Sequence, residues 1–126
     1  MKEVVHTKQA PEAIGTYSQA VRFDRILYVS GQIPLNPDTM VLTDGSMEAQ
    51  VNQVFDNLSA ICKAASGDLN QILKMTVYLI NLSDISWVNQ AMAHYFTSPY
   101  PARVAFEVSA LPRGARVEID AMMACA

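Results

Sequence analysis

Two charged residues of opposite sign, Arg103 and Glu118, stand inside apolar stretches near the end of this 126-residue chain. Arg103 opens the stretch 103–108 and Glu118 lies within 116–122, with a turn-like segment at 110–114 between them. The pattern predicts two strands joined by a short connection, each with charge on one face. A salt bridge would explain the two charges. The alternative is a site in which the arginine holds an anion and the carboxylate handles water or a proton.

Four further residues carry groups that such a site could use. Ser30 and Gly31 end a predicted strand, where a glycine lets a ligand approach the backbone and its N–H could hold an oxygen. A bulge or a plain strand end is the alternative. Tyr17 and Asn89 could line a pocket through a hydroxyl and an amide. They could equally be a packed loop tyrosine and a helix-face asparagine.

The composition excludes several classes of protein. Hydrophobic residues make up 51% of the chain and charged residues 17%, which argues against disorder. A net charge of −3 without any basic run argues against a general nucleic-acid binder, which usually has a basic face. The two cysteines and two histidines show no metal-ligand spacing, so no metal site is expected. With no apolar run of about 18 residues and no signal-peptide core, we expect a cytoplasmic protein that spans no membrane.

The elements that must position these residues follow from hydrophobic periodicity. The length suits a single domain, 1–126. Strands are expected at 4–6, 19–23, 26–33 and 73–82, followed by two around Arg103 and Glu118. One helix should begin after Ser46 and end at 66–68, with Gly67 at the C′ position. A second should begin after Ser83 or Asp84.

The resulting order, β-β-β-α-β-α-β-β, predicts an α+β fold with a six-stranded mixed sheet and two helices on one face. Period-two alternation then assigns residues to faces. We expect the uncovered face to carry Arg103, Ala105, Glu107, Glu118 and Asp120, and the helix side to carry Val104, Phe106, Val117 and Ile119. An uncovered, partly apolar face suggests association with other subunits.

The chain resembles the RidA subgroup of the Rid family of reactive-intermediate deaminases, also called YjgF. The resemblance rests on five motifs that occur in order along nearly the whole sequence, at residues 13–19, 29–34, 88–89, 101–103 and 111–119. It implies a chorismate-mutase-like fold and a homotrimer with sites between subunits. It also implies hydrolysis of 2-imino acids such as 2-iminopropanoate and 2-iminobutanoate to 2-keto acids and ammonia, without a metal or an organic cofactor.

The resemblance also implies roles for particular residues. Arg103 would hold the substrate carboxylate, and Glu118 would position the water. The implied substrate-binding residues are Arg103, Gly31, Ser30, Tyr17, Asn89 and Ala105. Many members have a cysteine where this chain has Ala105, so a role there would be through the backbone and thiol chemistry is excluded. Two alternatives stay open: a non-catalytic sensor of keto acids or amino acids, and a ribonuclease or translation inhibitor, which the acidic balance disfavours.

Overall fold

The protein is described here by a computed structural model that covers residues 1–126. Its six strands are β1 (Glu3–Val5), β2 (Ala20–Phe23), β3 (Ile26–Gln32), β4 (Ile72–Leu79), β5 (Ala102–Glu107) and β6 (Val117–Ala124). Helix α1 (Met47–Ala64) lies between β3 and β4 in the chain, and α2 (Ile85–Tyr95) lies between β4 and β5. The predicted order of elements is confirmed.

The strands form one sheet in the order β1-β2-β3-β6-β4-β5. All neighbouring pairs are antiparallel except β4 and β5, which are parallel and joined through α2. The sheet is therefore mixed and six-stranded, with two helices, as the sequence predicts. Strand β6 lies near its centre and β5 forms one edge, so Glu118 and Arg103 stand on strands separated by β4.

Helix α1 begins where its N-cap predicts. The Ser46 hydroxyl accepts a hydrogen bond from the Ala49 N–H at 3.1 Å, and Glu48 lies in the first turn, where its charge favours the positive end of the helix. The buried stripe faces the sheet and consists of Val51, Val54, Phe55, Leu58, Ile61 and Cys62. Burial raises the pKa of the Cys62 thiol to about 12. This apolar stripe is what holds the helix in place.

The end of α1 lies where we expect it, but the C′ prediction is wrong. Ser66, not Gly67, adopts the left-handed conformation, with a φ of 64°. The N–H of Gly67 donates to the Cys62 carbonyl, and that of Ser66 donates to the Lys63 carbonyl, both at 2.9 Å, which forms a Schellman motif. Gly67 instead makes room for the Met123 side chain, whose Cε would lie 2.6 Å from a Cβ there and would have to shift.

The core lies between the helices and one face of the sheet. Strand β4 contributes Met75, Val77 and Leu79, all at most 1% exposed, and α2 contributes Val88 and Met92. Neither helix is long and apolar enough to cross a membrane.

The face assignment is correct for β6 and wrong for β5. On β6, Val117 and Ile119 are buried under the helices and Glu118 and Asp120 point to the opposite face. On β5, Arg103, Ala105 and Glu107 pair with the buried β4 residues and therefore share the helix face. It is Val104 and Phe106, 36% and 49% exposed, that stand on the uncovered face. Within one chain, Arg103 and Glu118 thus project from opposite faces.

Candidate functional site

Arg103 is anchored at one end and has no counter-ion. Its Nη1 donates to the Asn89 Oδ1 at 2.6 Å and lies 3.4 Å from the Met92 Sδ, so α2 fixes the direction of the guanidinium. No carboxylate lies within ion-pairing distance of it, because the chain has a single ion pair, between His6 and Glu12. Within one chain, Arg103 therefore forms no salt bridge with Glu107 or Glu118. The remaining N–H groups of the guanidinium are available to an anion.

Glu118 is the second uncompensated charge. No side-chain or backbone group donates a hydrogen bond to its carboxylate, although the residue is partly buried on β6. Burial, with a smaller contribution from the negative charge of Asp120, raises the pKa of Glu118 above its ordinary value of 4.5. Asp120 is itself engaged, since it accepts a hydrogen bond from the Tyr78 hydroxyl at 3.0 Å. A carboxyl with a raised pKa and no partner is suited to proton transfer.

Gly31 makes room for this carboxylate. A Cβ at position 31 would overlap the Glu118 side chain, whose Cδ would lie 2.9 Å from it. The overlapping atoms are the end of the Glu118 side chain, so a methyl group at position 31 would push the carboxylate away from β3. The glycine is required by this close approach and not by its backbone angles.

The candidate residues lie in two separate cavities. The first, of about 440 Å³, is lined by Tyr17, Ser30, Gly31 and Glu118, together with apolar residues that include Ile14 and Ile33. The second, of about 480 Å³, is lined by Arg103 and Asn89, with Met92, Tyr100 and Pro101 beside them. We call the first the Glu118 cavity and the second the Arg103 cavity.

The other predicted site residues have more limited roles in the chain. The Ser30 hydroxyl donates to the Ser18 carbonyl at 2.6 Å, so it ties two segments together. Tyr17 is half exposed and its hydroxyl accepts from the Ile14 N–H at 3.3 Å. Ala105 packs against the core and lines neither cavity. Asn89 is primarily the anchor of Arg103.

Sequence reasoning missed several residues that shape the Glu118 cavity. Gln19, Glu12 and Pro112 belong to its wall. Glu12 accepts from His6 at 2.9 Å across a loop, a pairing that no periodic pattern signals. No three or more His, Cys, Asp or Glu side chains converge in a way that could hold a metal ion.

Comparison with known proteins assigns the chain to a protein family. The model of the family described as Endoribonuclease L-PSP matches residues 7–125, so the chain belongs to this family, the Rid family. A mouse protein named 2-iminobutanoate/2-iminopropanoate deaminase is 45% identical over 122 residues, which cover 97% of this chain and 90% of the mouse protein.

Solved structures agree with that assignment. The crystal structure of RidA from the Antarctic bacterium Psychrobacter sp. PAMC 21119 superimposes with a TM-score of 0.93 at 45% identity, covering 97% of this chain and 98% of that one. The crystal structure of E. coli TdcF with bound serine superimposes with a TM-score of 0.90 at 32% identity, covering 98% and 99%. Names within the family are mixed, since some members are called deaminases and others endoribonucleases.

Proposed function

We propose that the protein hydrolyses 2-imino acids, with 2-iminopropanoate and 2-iminobutanoate as substrates, to 2-keto acids and ammonia. The single observation that carries the proposal is the pair of uncompensated groups: a guanidinium held by Asn89 with no counter-ion, and a partly buried carboxyl with no hydrogen-bond donor. A 2-imino acid presents a carboxylate to the first and a hydrolysable carbon to the second. The name of the mouse relative supports the same chemistry.

In this mechanism, Arg103 holds the substrate carboxylate through two N–H groups and so fixes the plane of the adjacent imine. Glu118 orients a water molecule toward the imine carbon and accepts its proton as the new C–O bond forms. The protonated Glu118 returns this proton to the nitrogen, which gives a carbinolamine. The Glu118 carboxylate then takes the hydroxyl proton of the carbinolamine and delivers it to the amino group as the C–N bond breaks, which releases ammonia and the keto acid. The raised pKa of Glu118 favours both directions of this transfer near neutral pH.

The two groups can act together only if they come from different chains. Within one chain they lie on opposite faces of the sheet and in separate cavities. We therefore propose a homotrimer in which the Arg103 cavity of one subunit meets the Glu118 cavity of the next. The uncovered sheet face, with exposed Tyr28, Phe106 and Met122, supports burial against other copies.

A coupled assay tests the proposed function. A serine/threonine dehydratase generates 2-iminopropanoate or 2-iminobutanoate, and keto-acid release is followed with and without this protein. We expect faster release with the wild-type protein and a loss of the acceleration in Arg103→Ala. Binding of 2-oxobutanoate by calorimetry without any acceleration would instead assign the protein to the sensor class.

A further inference from the structure

The wall of the Glu118 cavity includes a long loop with almost no support from its own backbone. Residues 6–18 connect β1 to β2, and Pro11, Glu12, Ile14 and Tyr17 of this loop line the cavity. Apart from the turn at residues 8 and 9, none of these thirteen loop residues takes part in a backbone-to-backbone hydrogen bond. A loop of this length must therefore be held by side chains.

One buried side chain makes more hydrogen bonds to this loop than any other side chain does. Gln19 is 3% exposed, and its Oε1 accepts from the Thr7 N–H at 2.8 Å. Its Nε2 lies within hydrogen-bond distance of three carbonyls, those of Thr7 at 3.0 Å, Ala10 at 3.3 Å and Pro11 at 2.8 Å. The amide thus satisfies both backbone polar groups of Thr7 and fixes Ala10 and Pro11, of which Pro11 begins the cavity wall.

The backbone of the same residue is tied to the floor of the cavity. The Ser30 N–H donates to the Gln19 carbonyl at 2.9 Å, and Ser30 precedes the Gly31 on which the Glu118 carboxylate rests. Gln19 therefore joins the loop side of the cavity to the strand that positions the carboxylate. An apolar side chain at this position would keep the backbone bond to Ser30 but would lose every contact with the loop.

From these contacts we propose that Gln19 is a positioning residue for the active site, which acts by holding the 7–18 loop in place as the substrate-facing wall beside Glu118. The inference rests on the proposed function for its kinetic consequence. The Gln19 amide is engaged by the loop backbone and does not act on the reacting atoms. Glu118 is positioned by β6 and Gly31 without Gln19. Loss of the Gln19 amide should consequently impair substrate binding more than the chemical step.

The test compares Gln19→Leu with a matched control, Gln50→Leu. Gln50 is 4% exposed, donates to the Thr43 carbonyl at 3.2 Å and accepts from the Arg116 N–H at 3.3 Å. None of these three residues lines either cavity. Both substitutions leave buried polar groups unpaired and should lower the Tm, so the control removes the effect of general destabilisation. Gln19→Glu is a second variant, which keeps the acceptor for Thr7 but has no donor for the three carbonyls when ionised.

Two readouts are measured well below the Tm of each variant. The first is the rate of tryptic cleavage after Lys8, an exposed residue inside the held segment. The second is the split between KM and kcat in the coupled assay. For both Gln19 variants we expect faster cleavage at Lys8 and a KM raised by about tenfold or more, with a smaller change in kcat. For Gln50→Leu we expect neither change.

Unchanged cleavage at Lys8 together with an unchanged KM in the Gln19 variants would overturn the inference. Failure of both Gln19 variants to fold would also overturn it, because Gln19 would then be needed for the stability of the whole fold. The rate of cleavage at Lys8 can be measured whether or not the protein has deaminase activity. A wild-type protein without deaminase activity would therefore refute the proposed function while the loop measurement still decides whether Gln19 holds the wall.

Discussion

At the scale of single residues, Arg103 and Glu118 each line a cavity and have no ion-pair partner within the chain. Arg103 is held by Asn89 through one terminal nitrogen only, which leaves the rest of the planar guanidinium for a ligand. Glu118 is partly buried next to a like charge, Asp120. The arrangement of Glu118 weakens the isolated chain at neutral pH, since burial of an unpaired charge is unfavourable. Such arrangements are typical of binding and catalytic groups.

Replacing Arg103 by lysine tests the paired geometry. A lysine ammonium is a point charge, and it cannot reach Asn89 and a substrate carboxylate in one plane. Losing such a desolvated contact costs about 2–5 kcal/mol, so kcat/KM should fall by roughly thirtyfold or more. The coupled assay measures kcat/KM, with Arg25→Lys as control, because exposed Arg25 lies in the turn between β2 and β3 and lines neither cavity. Near wild-type kcat/KM in Arg103→Lys would exclude a bidentate clamp.

Replacing Glu118 by glutamine should stabilise the fold at neutral pH. Because the pKa of Glu118 is raised in the folded state, the folded chain favours the protonated form. The stability from that group is present below the unfolded pKa and is lost as the pH rises through the folded pKa. Glutamine stays neutral, so Glu118→Gln should have the higher Tm at pH 7, and the difference should close as the pH falls below about 4.5.

Calorimetry at pH 7 and at pH 4 measures this difference. Glu48→Gln is the control: it removes a favourable charge from the first turn of α1 and should not stabilise the protein. An equal Tm for wild type and Glu118→Gln at both pH values would show that the carboxyl carries no raised pKa in the folded protein.

At the scale of elements, the contact between β3 and β6 determines where the carboxylate stands. Gly31→Ala tests this contact, because the added methyl group would displace the Glu118 side chain. We expect a folded protein whose kcat falls by about tenfold or more, since the general base is misplaced. Gly15→Ala is the matched control, because a Cβ there meets only Tyr17 at an ordinary 3.4 Å. A wild-type kcat in Gly31→Ala would mean that the placement of Glu118 against β3 is not needed.

The helices and strands also show which parts of the fold could be predicted from the sequence. The helix stripe of α1, its Ser46 cap and the alternation of β6 are strong signals because each element has one buried side. Strand β5 is different, since it forms the sheet edge and five of its six residues are exposed. Period-two alternation still predicts that Arg103 and Val104 lie on opposite faces of β5. The hydrophobicity of the strand, however, does not indicate which of the two faces the helices. The register with β4 decides it, and that register depends on tertiary structure.

The site residues also divide into those that the sequence predicts and those that only the structure identifies. The residue types at Arg103, Glu118 and Gly31 could be selected from the sequence because each carries distinctive chemistry or conformational freedom. The role of Asn89 as the anchor of Arg103, and that of Gln19 as the support of the loop, depend on contacts between segments distant in the chain. An amide has no periodic signature, so only the folded structure identifies its partners.

At the scale of the whole molecule, the uncovered sheet face predicts assembly. Val104 and Phe106 on β5 and Tyr28 and Met122 on β3 and β6 expose apolar side chains on the side without helices. We expect a mass near three chains by light scattering at micromolar concentration. Phe106→Glu should weaken the assembly by placing a charge in the interface, whereas the same change at exposed Val41, which lies outside the sheet, should not. A sharp wild-type monomer would refute the shared site.

Mixed trimers provide the most direct test of a site shared between subunits. Arg103→Ala and Glu118→Gln should each be inactive alone, because every site then lacks one of its two groups. If the chains are unfolded together and refolded as an equal mixture, a site is complete whenever the Glu118→Gln chain supplies Arg103 and its neighbour supplies Glu118. With random assembly this holds for about a quarter of sites, so about a quarter of wild-type activity should return. A mixture that stays as inactive as its parents would place both groups in one chain's site, contrary to the two faces on which they stand.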